Sequence, residues 1–211
     1  MHDPVYEELY QGHTIKIYHD PDTENPREWS NLGTLICWHR RYRLGDSHRF
    51  DSPEAFLRDR AGVSDQSDLS MEHLRDRAER KVVILPVFLY YHSGLAMNTI
   101  GFHCPWDSGQ VGYVYVTLEA IRTEFGVKRV TKALREKAED ILRAEIVSYD
   151  AYLGGRVFGY VIKQDGEEVD ACWGFVGDYE PDCLLEARRA VPAPSPGQTR
   201  ESASAQARAH P

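Results

Sequence analysis

The stretch that most constrains the fold is an almost unbroken apolar run from Val82 to Tyr91, followed by a second β-rich run from Val111 to Val116. Runs of this composition are typical of strands that are covered on both faces. Pro86 cannot donate a hydrogen bond to a neighbouring strand, so the first strand either lies at an edge there or has a bulge. The loops between the two runs, 92–94 and 104–109, are rich in small and polar residues and are the best candidates for a site.

The rest of the chain supplies hairpins at both ends and helices between them. Two short β-rich runs flank Gln11-Gly12, and two more flank Asp165-Gly166, a dipeptide that favours a type I′ turn. Ser52-Pro53 is a helix-start signal, and apolar residues recur every three or four positions over 128–153, which predicts one long helix. This order predicts an α+β fold, with a mainly antiparallel sheet and helices packed on one face.

Length and composition predict a single α+β domain over residues 1–190, with a polar helical lobe at 47–80. Residues 191–211 consist mostly of Pro, Ser, Ala, Gln and Arg, which predicts a disordered tail. The apolar stripe of the long helix is usual for burial against a sheet, and a dimer face is the alternative, so a homo-oligomer stays open.

Several functional classes are disfavoured. The net charge of −8 and the lack of a long basic run argue against binding to duplex nucleic acid. No run of 18 apolar residues occurs and no secretory signal opens the chain, so we expect a cytoplasmic protein with reduced thiols and no membrane partner. No cofactor motif occurs either, and none is predicted.

The two central loops contain most of the candidate binding residues. His92 and Ser93 directly follow the first buried strand. Trp106 could stack on a ligand, Asp107 could accept hydrogen bonds, and Ser108-Gly109 could offer backbone N–H groups. The alternative is a simple turn, in which Asp107 accepts from its own backbone and Trp106 caps the core.

Candidate catalytic residues come as two His–Asp pairs, His92 with Asp107 and His39 with Asp46, which have the groups needed for acid–base chemistry. No Gly-x-Ser-x-Gly elbow accompanies them. Cys37 and His39, predicted to share one face of a strand at 33–40, are ligand types for zinc, but the ligand spacing of known zinc sites is missing, so we predict no metal.

Arg40 and Arg41 belong to the one short basic cluster in the body of the chain, with Tyr42 and Arg43. Arginine is well suited to phosphate, because its planar fork donates two hydrogen bonds at once. A solvated strand end is an equally good interpretation of this cluster.

Residues 29–46 (WSNLGTLICWHRRYRLGD), 84–94 (ILPVFLYYHSG), 104–126 (CPWDSGQVGYVYVTLEAIRTEFG) and 138–162 resemble a family of proteins, without an assigned activity, carried by bacteriophages and conjugative elements. The resemblance implies a context and no site residues. Small accessory proteins of such elements often counter host defence, by holding a nucleotide signal or by docking on a defence protein.

In that context we expect a protein that binds and sequesters a small nucleotide-like ligand in a pocket rimmed by the central loops. Trp106 and nearby tyrosines would contact the base, and Arg40, Arg41 and loop N–H groups would contact phosphate. The alternatives are a hydrolase of such a signal, using the His–Asp pairs, and a protein–protein inhibitor of a host defence protein that acts through its acidic surface.

Overall fold

The computed structural model describes residues 3–64, 67–92 and 94–192. Its elements in chain order are β1 (Tyr6–Tyr10), β2 (His13–His19), a 3-10 turn (Pro26–Glu28), β3 (Thr34–Cys37), α1 (Pro53–Ala61), α2 (Met71–Ala78), β4 (Val82–Tyr91), β5 (Leu95–Asn98), β6 (Ser108–Thr117), α3 (Leu118–Glu124), α4 (Lys132–Leu153), β7 (Val157–Gln164), β8 (Glu167–Val176), a π-helical turn (Glu180–Leu184) and α5 (Leu185–Ala190).

The α+β class is confirmed, and every strand pair among the described residues is antiparallel. The strands form two four-stranded sheets instead of one, ordered β1–β2–β7–β8 and β3–β6–β4–β5. The chain also divides into two compact units, which we call the terminal unit (Met1–Thr23 and Arg156–Pro211) and the central unit (Glu24–Gly155). Each unit has a buried core of its own.

The terminal unit is built on the two predicted hairpins, both of which are confirmed. Gln11 and Gly12 have φ values of 49° and 79°, and Asp165 and Gly166 have values of 52° and 89°. Two successive residues with positive φ are what a type I′ turn requires, and this turn matches the twist of the strands it joins. Ile15, Ile17 and Ile162 are fully buried in the core that these strands form with the π-helical turn and α5.

The predicted tail at 191–211 lies outside the described residues except for its first two positions. Val191 is 7 % exposed and belongs to the core of the terminal unit, while Pro192 is exposed.

In the central unit, Pro86 lies where β4 is an edge strand and next to a break in the strand register, as the missing N–H of proline predicts. The strand pairs with β6 over Val82–Tyr90, whereas its pairing with β5 begins only at Phe88. Pro86 therefore lies where β4 has one neighbour, and the register with β6 shifts just after it, between Val87 and Phe88.

Helices cover both faces of the central sheet, where the sequence predicts one. Because side chains alternate along a strand, Val83 and Leu89 face α4, while Val82 and Ile84 face α1 and α2. The predicted polar lobe at 47–80, of which 65 and 66 are not described, thus forms a covering layer through Phe56, Leu57 and Leu74.

The helix starts follow their capping residues. The side chain of Ser52 accepts a hydrogen bond from the N–H of Ala55 at the start of α1. Thr131 does the same for Leu134, and the long helix accordingly begins at Lys132, four residues later than predicted. Among the described residues, no helix combines the length and the apolar character needed to cross a membrane.

Candidate functional site

A buried arginine organises one end of the central unit. The guanidinium of Arg27, with its side chain 3 % exposed, donates two hydrogen bonds to Asp46 (2.9 and 2.7 Å) and one to Glu145 (3.3 Å). It also donates to the carbonyl of Gly33 (2.7 Å). Burial disfavours its charge, but the bonds and the attraction of the two carboxylates outweigh burial and raise the pKa of Arg27 above its ordinary value.

The two carboxylates bind backbone as well, so the network joins distant segments. Asp46 accepts from the N–H of Leu35 on β3 (2.8 Å). Glu145, on α4, accepts from the N–H groups of Leu32 (2.7 Å) and Gly33 (3.1 Å). The network therefore links the start of β3, the residue after Gly45 and the long helix, all within the central unit.

Residues 38–48, which we call the arginine loop, are held at both ends. At its start the N–H of Trp38 donates to the carbonyl of Val111 (2.7 Å). At its end the N–H of Gly45 donates to the hydroxyl of Tyr149 (3.1 Å), and Leu44 is buried in the core. Gly45 has a φ of 72°, and a Cβ there would lie 2.5 Å from the carbonyl oxygen of Leu35, so only glycine fits.

The arginine loop borders two cavities of about 650 and 430 Å³. Both are lined by Trp38, His39 and Arg40, and we call them together the arginine cleft. The larger cavity follows the loop itself as far as His48. The smaller one is completed by Arg41, Tyr91 and the first residues of β6, Ser108–Val111.

Stacked aromatic rings lie beside exposed cations in this cleft. The rings of His39 and Tyr42 are parallel within 14° at a centroid distance of 5.0 Å, and Tyr91 meets His39 edge-on at 5.6 Å. Arg40, Arg41 and Arg43 are exposed, and within the described residues none of them forms an ion pair. The cleft thus has unpaired positive charge next to a flat aromatic surface.

The histidines of the cleft have defined hydrogen-bonding states. Nδ1 of His39 accepts from the N–H groups of Arg41 (3.3 Å) and Tyr42 (3.2 Å), so the proton of the neutral ring is on Nε2. Nε2 of His48 must donate to the carbonyl of Cys37 (3.0 Å), which leaves its Nδ1 as a buried acceptor with no partner among the described residues.

Cys37 stays a neutral thiol. Burial, with a smaller effect of the Asp46 charge, raises the pKa of Cys37 to about 12. The thiolate is the nucleophilic form of cysteine, so this thiol is a poor nucleophile at neutral pH. Strand β3 ends at Cys37, and His39 therefore lies in the loop and not on a strand face with it. In the described part of the chain, no group of three or more His, Cys, Asp or Glu side chains could hold a metal ion.

The structure brings some of the predicted binding residues together and separates others. Arg40, Arg41, Ser108 and Gly109 all line the smaller cavity of the cleft. Trp106 does not line it and is 88 % exposed, so neither stacking there nor capping of the core describes its position. Ser93 lies outside the described residues.

The two His–Asp pairs have different outcomes. Nδ1 of His92 lies 3.4 Å from Oδ2 of Asp107, on the surface, with side chains 67 % and 36 % exposed. Asp46 is not the partner of His39: its oxygens bind Arg27 and the N–H of Leu35. Ser108 and Gly109, whose backbone N–H groups were expected to contact phosphate, belong to β6 and lie opposite Tyr90 and Leu89 of β4.

Sequence reasoning missed Arg27 and His48 as parts of this site. Arg27 lies in a polar connection and its carboxylate partners are 19 and 118 positions away, so no local spacing signals the network. Tyr91 is one of the tyrosines expected to contact a base, and it lines the smaller cavity. Arg43 had a signal, since it belongs to the basic cluster that contains Arg40 and Arg41.

Comparisons with known proteins give no relatives. No protein-family model matches the chain, and no curated protein or solved structure matches it significantly.

Proposed function

We propose that this chain binds and sequesters a small nucleotide-like ligand in the arginine cleft, as an accessory protein of the phage or mobile-element type that its sequence resembles. The supporting observation is the set of exposed arginines that form no ion pair with any described residue and lie beside the stacked rings of His39 and Tyr42. A nucleotide combines the two complementary groups, since its base offers a flat π-surface and its phosphates offer negative charge.

Size and charge agree with this ligand class. Cavities of about 430 and 650 Å³ fall in the range of small-molecule sites. The central unit holds 19 acidic and 18 basic residues and is nearly neutral, so the arginine cluster is a local positive patch. Such a patch can hold one small anion, whereas duplex nucleic acid needs an extended row of cations.

Within this proposal the base lies on the His39–Tyr42 pair or on Tyr91, and not on Trp106. The phosphates contact Arg40, Arg41 and Arg43. Their loop is fixed by the Arg27 network, so the guanidinium groups are presented without a large cost of ordering the backbone.

Titration calorimetry with ADP-ribose-type and cyclic nucleotides tests the proposal. Arg40→Gln/Arg41→Gln should weaken binding by about tenfold for each guanidinium removed. The matched control is Arg49→Gln, whose exposed side chain pairs with Asp59 and does not line the cleft. Absence of heat with every nucleotide at high protein concentration, or equal affinity of the double variant, contradicts the proposal.

Hydrolysis of the ligand is a second candidate, and the contact between His92 and Asp107 favours it. After incubation and denaturation of the protein, chromatography separates the two functions. Intact ligand indicates sequestration, and a new product that disappears in His92→Ala indicates catalysis. Docking on a host defence protein, the third candidate, needs no nucleotide.

A further inference from the structure

The negative charge of the chain lies in the terminal unit. Its residues 3–23 and 156–192 hold 13 acidic and five basic side chains, a net charge of −8, whereas the central unit has a net charge of −1. These 58 residues thus carry a net charge as large as that of the whole 211-residue chain. A surface of this kind attracts cationic partners and repels copies of itself.

Part of this charge lies on an unpaired sheet edge. β8 is ten residues long and pairs only with β7, so its other side has no neighbouring strand in the described chain. Residues 167–170 are exposed. Glu167 and Glu168 form no ion pair within the described residues, although Lys163 lies opposite Glu168 in the register. Free backbone groups on such an edge can pair with an added strand.

A small apolar cavity of about 280 Å³ adjoins this edge. Tyr18 and Val161 line it together with Trp173 of β8, whose ring lies 6.3 Å from that of Tyr18. The Trp173 ring covers Gly159, where a Cβ would lie 2.1 Å from it, so the glycine on β7 is what admits the indole. Glu168 and Lys163 also line the cavity, which therefore has an apolar floor and a charged border.

We propose that β8 is a docking edge for an extended basic segment of a partner protein, which adds as a strand and places an apolar side chain in the cavity beside Trp173. Side chains of an added strand alternate between two faces, so one segment can supply both the apolar residue and the flanking lysines or arginines. Charge complementarity selects this occupant. A second copy would bring Glu167 and Glu168 against an equally acidic strand, and an acidic peptide would be repelled. The proposal is independent of the arginine cleft, because all of its residues belong to the terminal unit.

Fluorescence anisotropy of labelled ten-residue peptides with the full chain tests this edge. The probe alternates lysine and valine, and the controls alternate glutamate and valine or carry proline at alternate positions of the basic peptide. The basic peptide should bind, and its binding should weaken as salt rises. Both controls should fail, since one reverses the charge and the other lacks the N–H groups at alternate positions, which an added strand donates to the sheet edge. Equal binding of the acidic or the proline peptide overturns the proposal.

Two variants on β8 and a control variant on α3 locate the binding. Glu167→Gln/Glu168→Gln changes exposed side chains and should weaken the basic peptide about fivefold, the effect of losing two exposed ion pairs. Glu119→Gln/Glu124→Gln on α3 removes the same charge from the central unit and should leave binding unchanged. Trp173→Ala should also weaken binding, with circular dichroism used to check that the sheet is retained.

The proposal is also overturned if Glu167→Gln/Glu168→Gln binds the basic peptide as tightly as the unmodified chain does. It is likewise overturned if neutralising these glutamates strengthens dimerisation of the chain while peptide binding stays the same. The edge would then pair with a second copy of the chain and not with a basic segment. Nucleotide binding measured in parallel should not change in either variant, so a failure here is distinguishable from a failure of the cleft.

Discussion

Replacing Arg27 with methionine tests the central organising contact of the molecule. Methionine keeps an unbranched apolar stem but leaves Asp46 and Glu145, with side chains 23 % and 10 % exposed, without their cation. Removing one partner of a buried ion pair costs about 3–5 kcal/mol, because the remaining charge is poorly hydrated and has lost its cation. With a urea m-value of about 2 kcal/mol/M, the unfolding midpoint should fall by about 1.5–2.5 M.

The triple variant Arg27→Met/Asp46→Asn/Glu145→Gln separates lost charge from lost packing. The new amide oxygens can still accept from the N–H groups of Leu32, Gly33 and Leu35, and no buried charge is left unpaired. The triple variant should therefore recover much of the loss of the single one.

Arg143→Met is the matched control for this experiment. Arg143 lies on α4 and is paired with two carboxylates, like Arg27, but it is 43 % exposed. Its loss should cost less than about 1 kcal/mol. If Arg27→Met shifts the midpoint no more than Arg143→Met, or if the triple variant is no more stable than the single one, the Arg27 network does not stabilise the fold in this way.

Three further outcomes are expected. Gly112→Ala should destabilise the central unit by about 1–3 kcal/mol in urea unfolding, because its Cβ would lie 2.0 Å from a backbone oxygen of β3. Gly109→Ala, on the same strand, is the control: its Cβ would meet nothing within 4 Å, so it should have little effect on stability. Hydrogen bonds from the guanidinium of Arg188 lower the pKa of Glu8 despite its burial. The stability that this carboxylate contributes is complete above its ordinary pKa of 4.5 and is lost as pH falls through the lower folded pKa. In Glu8→Gln, the free energy of unfolding should therefore fall less steeply as pH is lowered. Cys37, whose pKa is raised to about 12, should react with a maleimide at pH 8 only as fast as the protein unfolds, while Cys172, which is exposed, reacts in the native state.

Local chemistry made much of the fold predictable. The turn dipeptides at Gln11-Gly12 and Asp165-Gly166, the cap at Ser52 and the proline in β4 each act through their nearest neighbours in the chain, so the corresponding hairpins, helix start and edge agree with the structure. β5 was not predicted, because four residues, LAMN, are too few to show a period.

The arrangement of the site depended on contacts that no local pattern reveals. Whether strands form one sheet or two is decided by pairing between distant segments, such as β2 with β7. The same holds for Asp46, which was expected to orient His39 and instead binds Arg27. Trp106 has the right chemistry for stacking, but the loop that presents it points the ring to solvent.

The Arg27 network has a consequence for the time at which the cleft forms during synthesis. Once Val111 has emerged from the ribosome, all residues that line the cleft have emerged. Glu145 and Tyr149, which hold the arginine loop, emerge only after more than thirty further residues. A nascent chain that ends before the long helix therefore has every residue of the proposed ligand site and lacks the support that positions those residues. Competence to bind should appear abruptly in a series of stalled chains, when the last turns of that helix have emerged.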